Sequence, residues 1–185
     1  MRLPPVLAAS DFDPVELQAA RLDGEVYDLA GAFCLIGELE TPTHRARAVL
    51  ADRSPRLIAE LHTAAWVWGA ATHPDRLEFA VTPDARARLS PGHRVTVREI
   101  VYAASDLASL DGHRVTTPVR TAVDLARFVD PFPVDVVARL AELPGFTFGD
   151  AIALLESRGG IPAKNRARRR LADALEAHAA RRSGG

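Results

Sequence analysis

Residues Thr116-Thr117-Pro118-Val119-Arg120-Thr121-Ala122-Val123-Asp124-Leu125-Ala126-Arg127-Phe128 read TTPVRTAVDLARF. The stretch has the grammar of a helix. Thr117 is a capping residue, Pro118 suits the first helical position, where no N–H bond is needed, and the run stops near Asp130-Pro131. Val119, Ala122, Val123 and Ala126 share one face at helical spacing, so that face points to a core. Arg120, Asp124 and Arg127 fall on its flanks, where i,i+4 and i,i+3 pairing is available. An exposed Arg120–Asp124 pair contributes only a few tenths of a kcal/mol. Buried at the third helical position, the same arginine is expected to tie the helix to neighbouring backbone carbonyls. On that reading Thr117, Pro118, Arg120, Thr121 and Asp124 form a structural motif, with Val123 or Leu125 fully buried.

Upstream, HRVT at 113–116 reads as a short strand feeding this helix. RLEFAVT and HRVTVREIVYA alternate as strands do, and RLIAELHTAAWVWGA reads as a buried strand running into a helix that stops at Gly69. Strands are expected near Arg56–Ala59, Leu77–Val81, Val95–Tyr102 and Arg114–Thr116. Nearer the start, Asp13-Pro14-Val15-Glu16 predicts a capped helix to about Arg21, and Thr41-Pro42 another to about Ala51. Between them, Glu25–Asp28 and Ala32–Ile36 read as two strands joined at Leu29-Ala30-Gly31. Beyond Pro131 three helices are expected, over Val134–Leu143, Gly149–Arg158 and Ala163–Ala180, broken by Pro144-Gly145 and RGGIP. Strands in the middle and helices at the end predict an α+β fold. It comprises a central mixed sheet of about four strands with packed helices and a helical C-terminal segment.

The 185 residues are 48% hydrophobic and 25% charged, an ordinary globular composition long enough for a proper core. The formal net charge of −1 hides an asymmetry. Between Ser10 and Glu40 stand eight acids, Asp11, Asp13, Glu16, Asp23, Glu25, Asp28, Glu38 and Glu40, against the single base Arg21. From Ser157 onward eight bases face only Asp173 and Glu176. A lone cysteine, Cys34, rules out an internal disulfide and a cysteine cage for zinc. The apolar run in MRLPPVLAAS is short and broken by Pro4 and Pro5, and no stretch approaches the roughly 20 apolar residues of a membrane span. A cytoplasmic protein without a membrane partner is expected.

No Gly-rich phosphate loop, H-E-x-x-H or G-x-S-x-G occurs. A nuclease built on a strand lysine beside carboxylates is excluded, because the only lysine, Lys164, lies in the basic tail. The six histidines (His44, His62, His73, His93, His113, His178) are scattered, with no pair at ligand spacing. Non-enzymatic function is therefore expected, with no metal and no cofactor. Two features can serve binding. Trp66, one turn beyond His62, and Trp68 stand in a pattern that favours packing over base stacking. In AKNRARRRLADALEAHAARR, the stripe Ala163, Ala167, Leu171, Ala174 and His178 packs the last helix on the protein. Lys164, Arg166, Arg168, Arg169 and Arg170 crowd its first two turns, the end of the dipole that slightly disfavours cations. With Arg158, these residues form the candidate nucleic-acid-binding set, set against a solvated face.

HRVTTPVRTAVDLARF resembles the segment "LRVTSP-x-RT-x-x-DLAR", the most recognisable signature of actinobacterial AbiEi-type antitoxins of type IV toxin–antitoxin systems, with Thr117 where serine is common. RLIAELHTAAWVWGA is similar to that family's strand and "S-x-x-SAAxLxGL" helix. ELQAARLDGEVYDLAGAFCLIG resembles the last helix and the wing of its N-terminal winged helix, and the tail resembles that of short, stand-alone members. The resemblance implies a transcription regulator and antitoxin whose partners are operator DNA and a cognate toxin. It also implies two parts: a degenerate winged-helix remnant over 1–40 and an AbiEi-like α+β C-terminal domain over 41–185. The family's helix-turn-helix occupies several dozen residues, whereas about fifteen precede the hairpin's helix here. The family's wing turn reads like RRG, whereas this hairpin has Leu29-Ala30-Gly31 flanked by Glu25 and Asp28, so phosphate contact is assigned to the tail instead. A protein-interaction module that has lost DNA binding is the competing expectation.

Overall fold

A computed structural model of the chain describes residues 4–83, 94–157 and 163–183. In chain order the first elements are β1 (Val6–Leu7), α1 (Pro14–Leu22), β2 (Val26–Leu29), β3 (Ala32–Leu35), α2 (Pro42–Leu50), β4 (Ile58–Ala59) and α3 (Leu61–Val67). There follow β5 (Leu77–Val81), β6 (Val95–Glu99), β7 (Leu107–Leu110), β8 (His113–Thr116), α4 (Pro118–Phe128), α5 (Val134–Leu140), α6 (Phe148–Ser157) and α7 (Lys164–Ser183). The fold is α+β, as the order of elements in the sequence implies. Contacts divide the chain into two compact units, one of residues 1–59, 75–101 and 109–115, the other of 60–74, 102–108 and 116–185.

The first unit holds the sheets. Three antiparallel strands lie in the order β1-β3-β2, with Val6 opposite Cys34 and Tyr27 opposite Cys34 on the other side. Their inner face and α1 enclose Leu7, Leu17, Val26 and Phe33. Asp13 caps α1 by accepting from the Val15 N–H at 2.7 Å. Ala30 and Gly31, both at positive φ (56° and 87°), make the two-residue turn between β2 and β3. Paired positive φ values give the turn a twist matching that of the strands, which is why such turns close hairpins. The larger sheet runs β6-β5-β4-β8-β7 and is mixed: β4 is antiparallel to β5 and parallel to β8, while β5 and β6 are parallel.

The sheet has five strands where the periodicity indicates about four. Leu107–Leu110 reads LASL, without the β-branched residues that mark a strand, and so passes for a loop. Its partner β8 follows after Asp111 and Gly112, both at positive φ, a two-residue link that only antiparallel neighbours can share. β6 stops at Glu99, short of the expected Tyr102, which is buried in the second unit instead.

That second unit is helical. Leu125 and Val123 of α4 are 0% and 3% exposed, and Ala122 and Ala126 are fully buried. They pack with Ala65, Leu140, Leu155, Leu171 and Ala174 from the surrounding helices. Small residues at these crossings let the helices approach closely, and each buried Leu or Val contributes roughly 1.5–3 kcal/mol. The α7 stripe is seated as the spacing predicts, with Ala167, Leu171 and Ala174 buried and the His178 Nδ1 3.2 Å from the Ala138 carbonyl. Trp66 is 7% exposed and packs edge-on against His73. Trp68 donates through Nε1 to the Thr116 carbonyl at 2.8 Å. Both tryptophans are thus packed. Among the described residues no helix is long and apolar enough to cross a membrane.

Alanine in the left-handed region is disfavoured by roughly 1–2 kcal/mol, and asparagine relieves part of that cost. Ala30→Asn is expected to raise stability by about 0.5–1 kcal/mol, read as a higher urea midpoint at unchanged slope. A midpoint equal to or below that of the parent would show that the turn is not strained.

Candidate functional site

The Thr117–Asp124 motif is built around a buried arginine. Thr117 Oγ1 accepts from the Arg120 N–H at 3.3 Å, capping α4, and Pro118 takes the first helical position. Thr121 and Thr116 join their hydroxyls at 2.7 Å, which locks the end of β8 to the first turn. The Thr117 N–H donates to the Asp106 carbonyl at 2.8 Å, so the short 3-10 turn Ala104–Asp106 is fastened to the same corner. One helical turn along, Arg120 enters the interior with 2% exposure.

Arg120 does not bond backbone carbonyls, as its position suggested. Its Nε donates to Asp124 Oδ2 at 2.8 Å and its Nη1 to Asp106 Oδ2 at 3.0 Å. Both carboxylates are 2% exposed or less. The guanidinium carbon lies 4.6 Å from the centre of the Tyr102 ring, a cation–π contact sheltered from water. Tyr102 presents its hydroxyl 2.6 Å from Glu60 Oε2 and 3.2 Å from Asp124 Oδ2, one proton between two acceptors. Arg127 Nη1 stands 3.7 Å from Asp124 Oδ1. Three carboxylates and two guanidiniums thus share one largely buried cluster.

Protonation follows from this geometry. Burial alone would depress Arg120, but the charge of Asp124 and its hydrogen bond, with Asp106 behind, hold it above its ordinary value. Burial, then the charges of Asp124 and Glu60, push the Tyr102 phenol far up, so it keeps its proton and remains a donor. Glu60 reaches the cluster from a strained elbow, since Leu61, directly after it, has φ of 49°. A leucine rarely adopts that conformation, and such strain persists only where surrounding contacts impose it. With Arg120, Asp106 and Asp124 closed to solvent, these contacts tie α4 to the end of β8 and to the 3-10 turn.

The basic residues of α7 are divided by their partners. Lys164 Nζ lies 2.8 Å from Glu156 Oε2, and Arg168 pairs with the same carboxylate. Arg166 Nη2 donates to the Arg127 carbonyl at 3.3 Å. Arg170 points inward: its Nη1 donates to the carbonyls of Ala126 and Val129 at 3.2 and 2.8 Å, its Nη2 to Asp130 at 2.9 Å, and it lies over the Phe132 ring. It thereby satisfies the last carbonyls of α4, a task sequence spacing cannot reveal. Arg169 is exposed and unpartnered among the described residues. Arg158 lies outside the described residues. Among the described residues no group of three or more metal-ligating side chains comes together.

Removing one member of a buried ion pair strands the others, at a cost of about 3–5 kcal/mol, whereas an exposed pair is worth less than about 1 kcal/mol. Arg120→Ala is therefore expected to lower the unfolding free energy by several kcal/mol and Arg168→Ala by a few tenths, as measured in urea. Arg120→Lys restores only part of the loss, because one ammonium cannot reproduce the fork that spans Asp106 and Asp124. Equal losses for Arg120→Ala and Arg168→Ala would place Arg120 at the surface.

A family profile described as the AbiEi antitoxin C-terminal domain matches residues 57–174. The crystal structure of the RV2827C protein from Mycobacterium tuberculosis is similar over 92% of this chain and 76% of its own, at 23% identity and a TM-score of 0.41. A search among curated proteins gave no match. The profile spans more than half of the 185 residues and takes in the Thr116–Phe128 segment, the whole buried charge cluster and the first half of α7. The chain belongs to the AbiEi antitoxin family.

Proposed function

We propose that the protein is a non-enzymatic, cytoplasmic antitoxin of a type IV toxin–antitoxin system that also regulates transcription. Its partners on this reading are operator DNA and a cognate toxin, with residues 1–40 a degenerate winged-helix remnant and 41–185 an AbiEi-like α+β C-terminal domain. The observation that carries the reading is the family match over residues 57–174. Charge narrows where DNA would lie. The hairpin of β2 and β3 is ringed by exposed acids and its Leu29 is buried, so it offers a phosphate backbone nothing to bind. The outward bases at the start of α7, Arg166, Arg168 and Arg169, are the phosphate contacts on this reading, with Lys164 at their edge. Arg170 is withdrawn from that set, because its donors hold α4. The second reading, an interaction module that has lost DNA binding, draws support from Glu156, which already engages both Lys164 and Arg168.

The test is a gel shift with the protein's own promoter at two salt concentrations. Each phosphate contact adds roughly 0.9 to the log–log salt slope on duplex DNA. Changing Arg166, Arg168 and Arg169 together to alanine is expected to flatten that slope by about two to three units and to leave the circular dichroism unchanged. An unchanged slope would move the contacts elsewhere. Absence of salt-sensitive binding by the wild-type protein at low ionic strength would leave the interaction module.

A further inference from the structure

We propose that the outer face of α1 and the chain leaving β3 form a docking face for a cationic amphipathic helix of a partner protein. The face belongs to residues 12–40, ahead of the family match, and stands independently of the antitoxin reading.

The first ground is that α1 is apolar on two sides. Leu17, 3% exposed, packs into the small sheet's core with Ala20 alongside. Val15 and Leu22, 76% and 82% exposed, lie seven residues apart, two turns along one line on the opposite side. Ala19, also exposed, falls between them. A surface helix normally carries one apolar stripe, turned to the core, and α1 carries a second that faces outward. At the end of α1 the Glu25 N–H donates to the Ala20 carbonyl, and the Ile36 N–H donates to the Glu25 carbonyl at 3.0 Å. That bond brings Ile36, 60% exposed, beside the helix end, with Leu39, 84% exposed, three residues further.

The second ground is charge, and it selects the occupant. Asp13, Glu16, Asp23, Glu25, Asp28 and Glu38 are exposed and make no ion pair among the described residues. Arg21 is the one base among them. Such a rim repels nucleic acid and anionic lipid. It also opposes a second copy meeting it through the same face, because a two-fold contact would set like charges together. A stripe of about two turns, rimmed by acids, fits a helix with apolar residues at i, i+4 and i+7 flanked by arginine or lysine.

The test uses the full chain and two synthetic helical peptides of identical leucine spacing, one flanked by arginines and the other by glutamates, read by fluorescence anisotropy. The arginine peptide is expected to bind at least tenfold tighter than the glutamate peptide. The paired changes Val15→Ser with Leu22→Ser, and Glu16→Arg with Asp23→Arg, are each expected to weaken it at least tenfold with unaltered circular dichroism. Equal binding of both peptides overturns the proposal. So does full binding after Val15→Ser with Leu22→Ser, which would reduce the effect to bulk charge. A wild-type dimer in sedimentation that dissociates on that same change would mean that a second copy covers the face, and it too overturns the proposal.

Discussion

A guanidinium cannot be left alone in a protein interior, and the helical unit is organised around meeting that demand. Arg120 is closed to water, so Asp124 and Asp106 have to stand within hydrogen-bond reach, and they do at 2.8 and 3.0 Å. Asp124 comes with the helix at no topological cost, one turn along. Asp106 has to be brought from another part of the chain, and the bond from the Thr117 N–H to its carbonyl fixes it there. Tyr102 and Glu60 then complete the cluster. Glu60, 102–106 and 117–127 thus meet around one side chain. The regularity of TTPVRT is the local consequence: cap, first-turn proline, inward arginine, and a threonine that grips the preceding strand.

Such a cluster is poor evidence of stability for its own sake. Well-packed apolar residues of the same volume often do as well, and the cost of stranding a charge is what makes the arrangement strict. With Asp106 and Asp124 both held by the Arg120 guanidinium, a shift of either segment strands a carboxylate in a low-dielectric site. The cluster therefore specifies one arrangement of its three segments. Arg170 extends the same logic to the surface, holding the end of α4 by its carbonyls. Arg120 and Arg170 thus turn charge inward in the helical unit, while most acids of the first 40 residues are exposed.

Much of this was legible in the sequence where structure is local. The caps at Asp13, Thr41 and Thr117, the proline after each, and the 3.6-residue apolar spacing predict α1, α2 and α4 to within a residue or two. The hairpin of β2 and β3 announces itself through alternation and Gly31. What failed was non-local. β1 is two residues long and exists only because β3 pairs with it. β7 has no strand composition, although Asp111-Gly112 is a strong hairpin signal that pointed to it. The polar partners were harder still. Nothing in the spacing places Tyr102, Asp106 or Glu60 beside Arg120, or Asp130 beside Arg170. Helical periodicity reports which face is buried and says nothing about which distant charge waits there.

The most direct test of this account is a double-mutant cycle on Arg120 and Asp106, fourteen positions apart in the chain. Unfolding free energies would be measured for Arg120→Met, Asp106→Asn and the pair. Groups in one buried network are expected to couple by about 1–3 kcal/mol, with the double variant losing less than the two single losses together. Losses that add to within about 0.5 kcal/mol would mean that the two side chains fold without reference to each other, and the arginine would no longer be what brings these segments together.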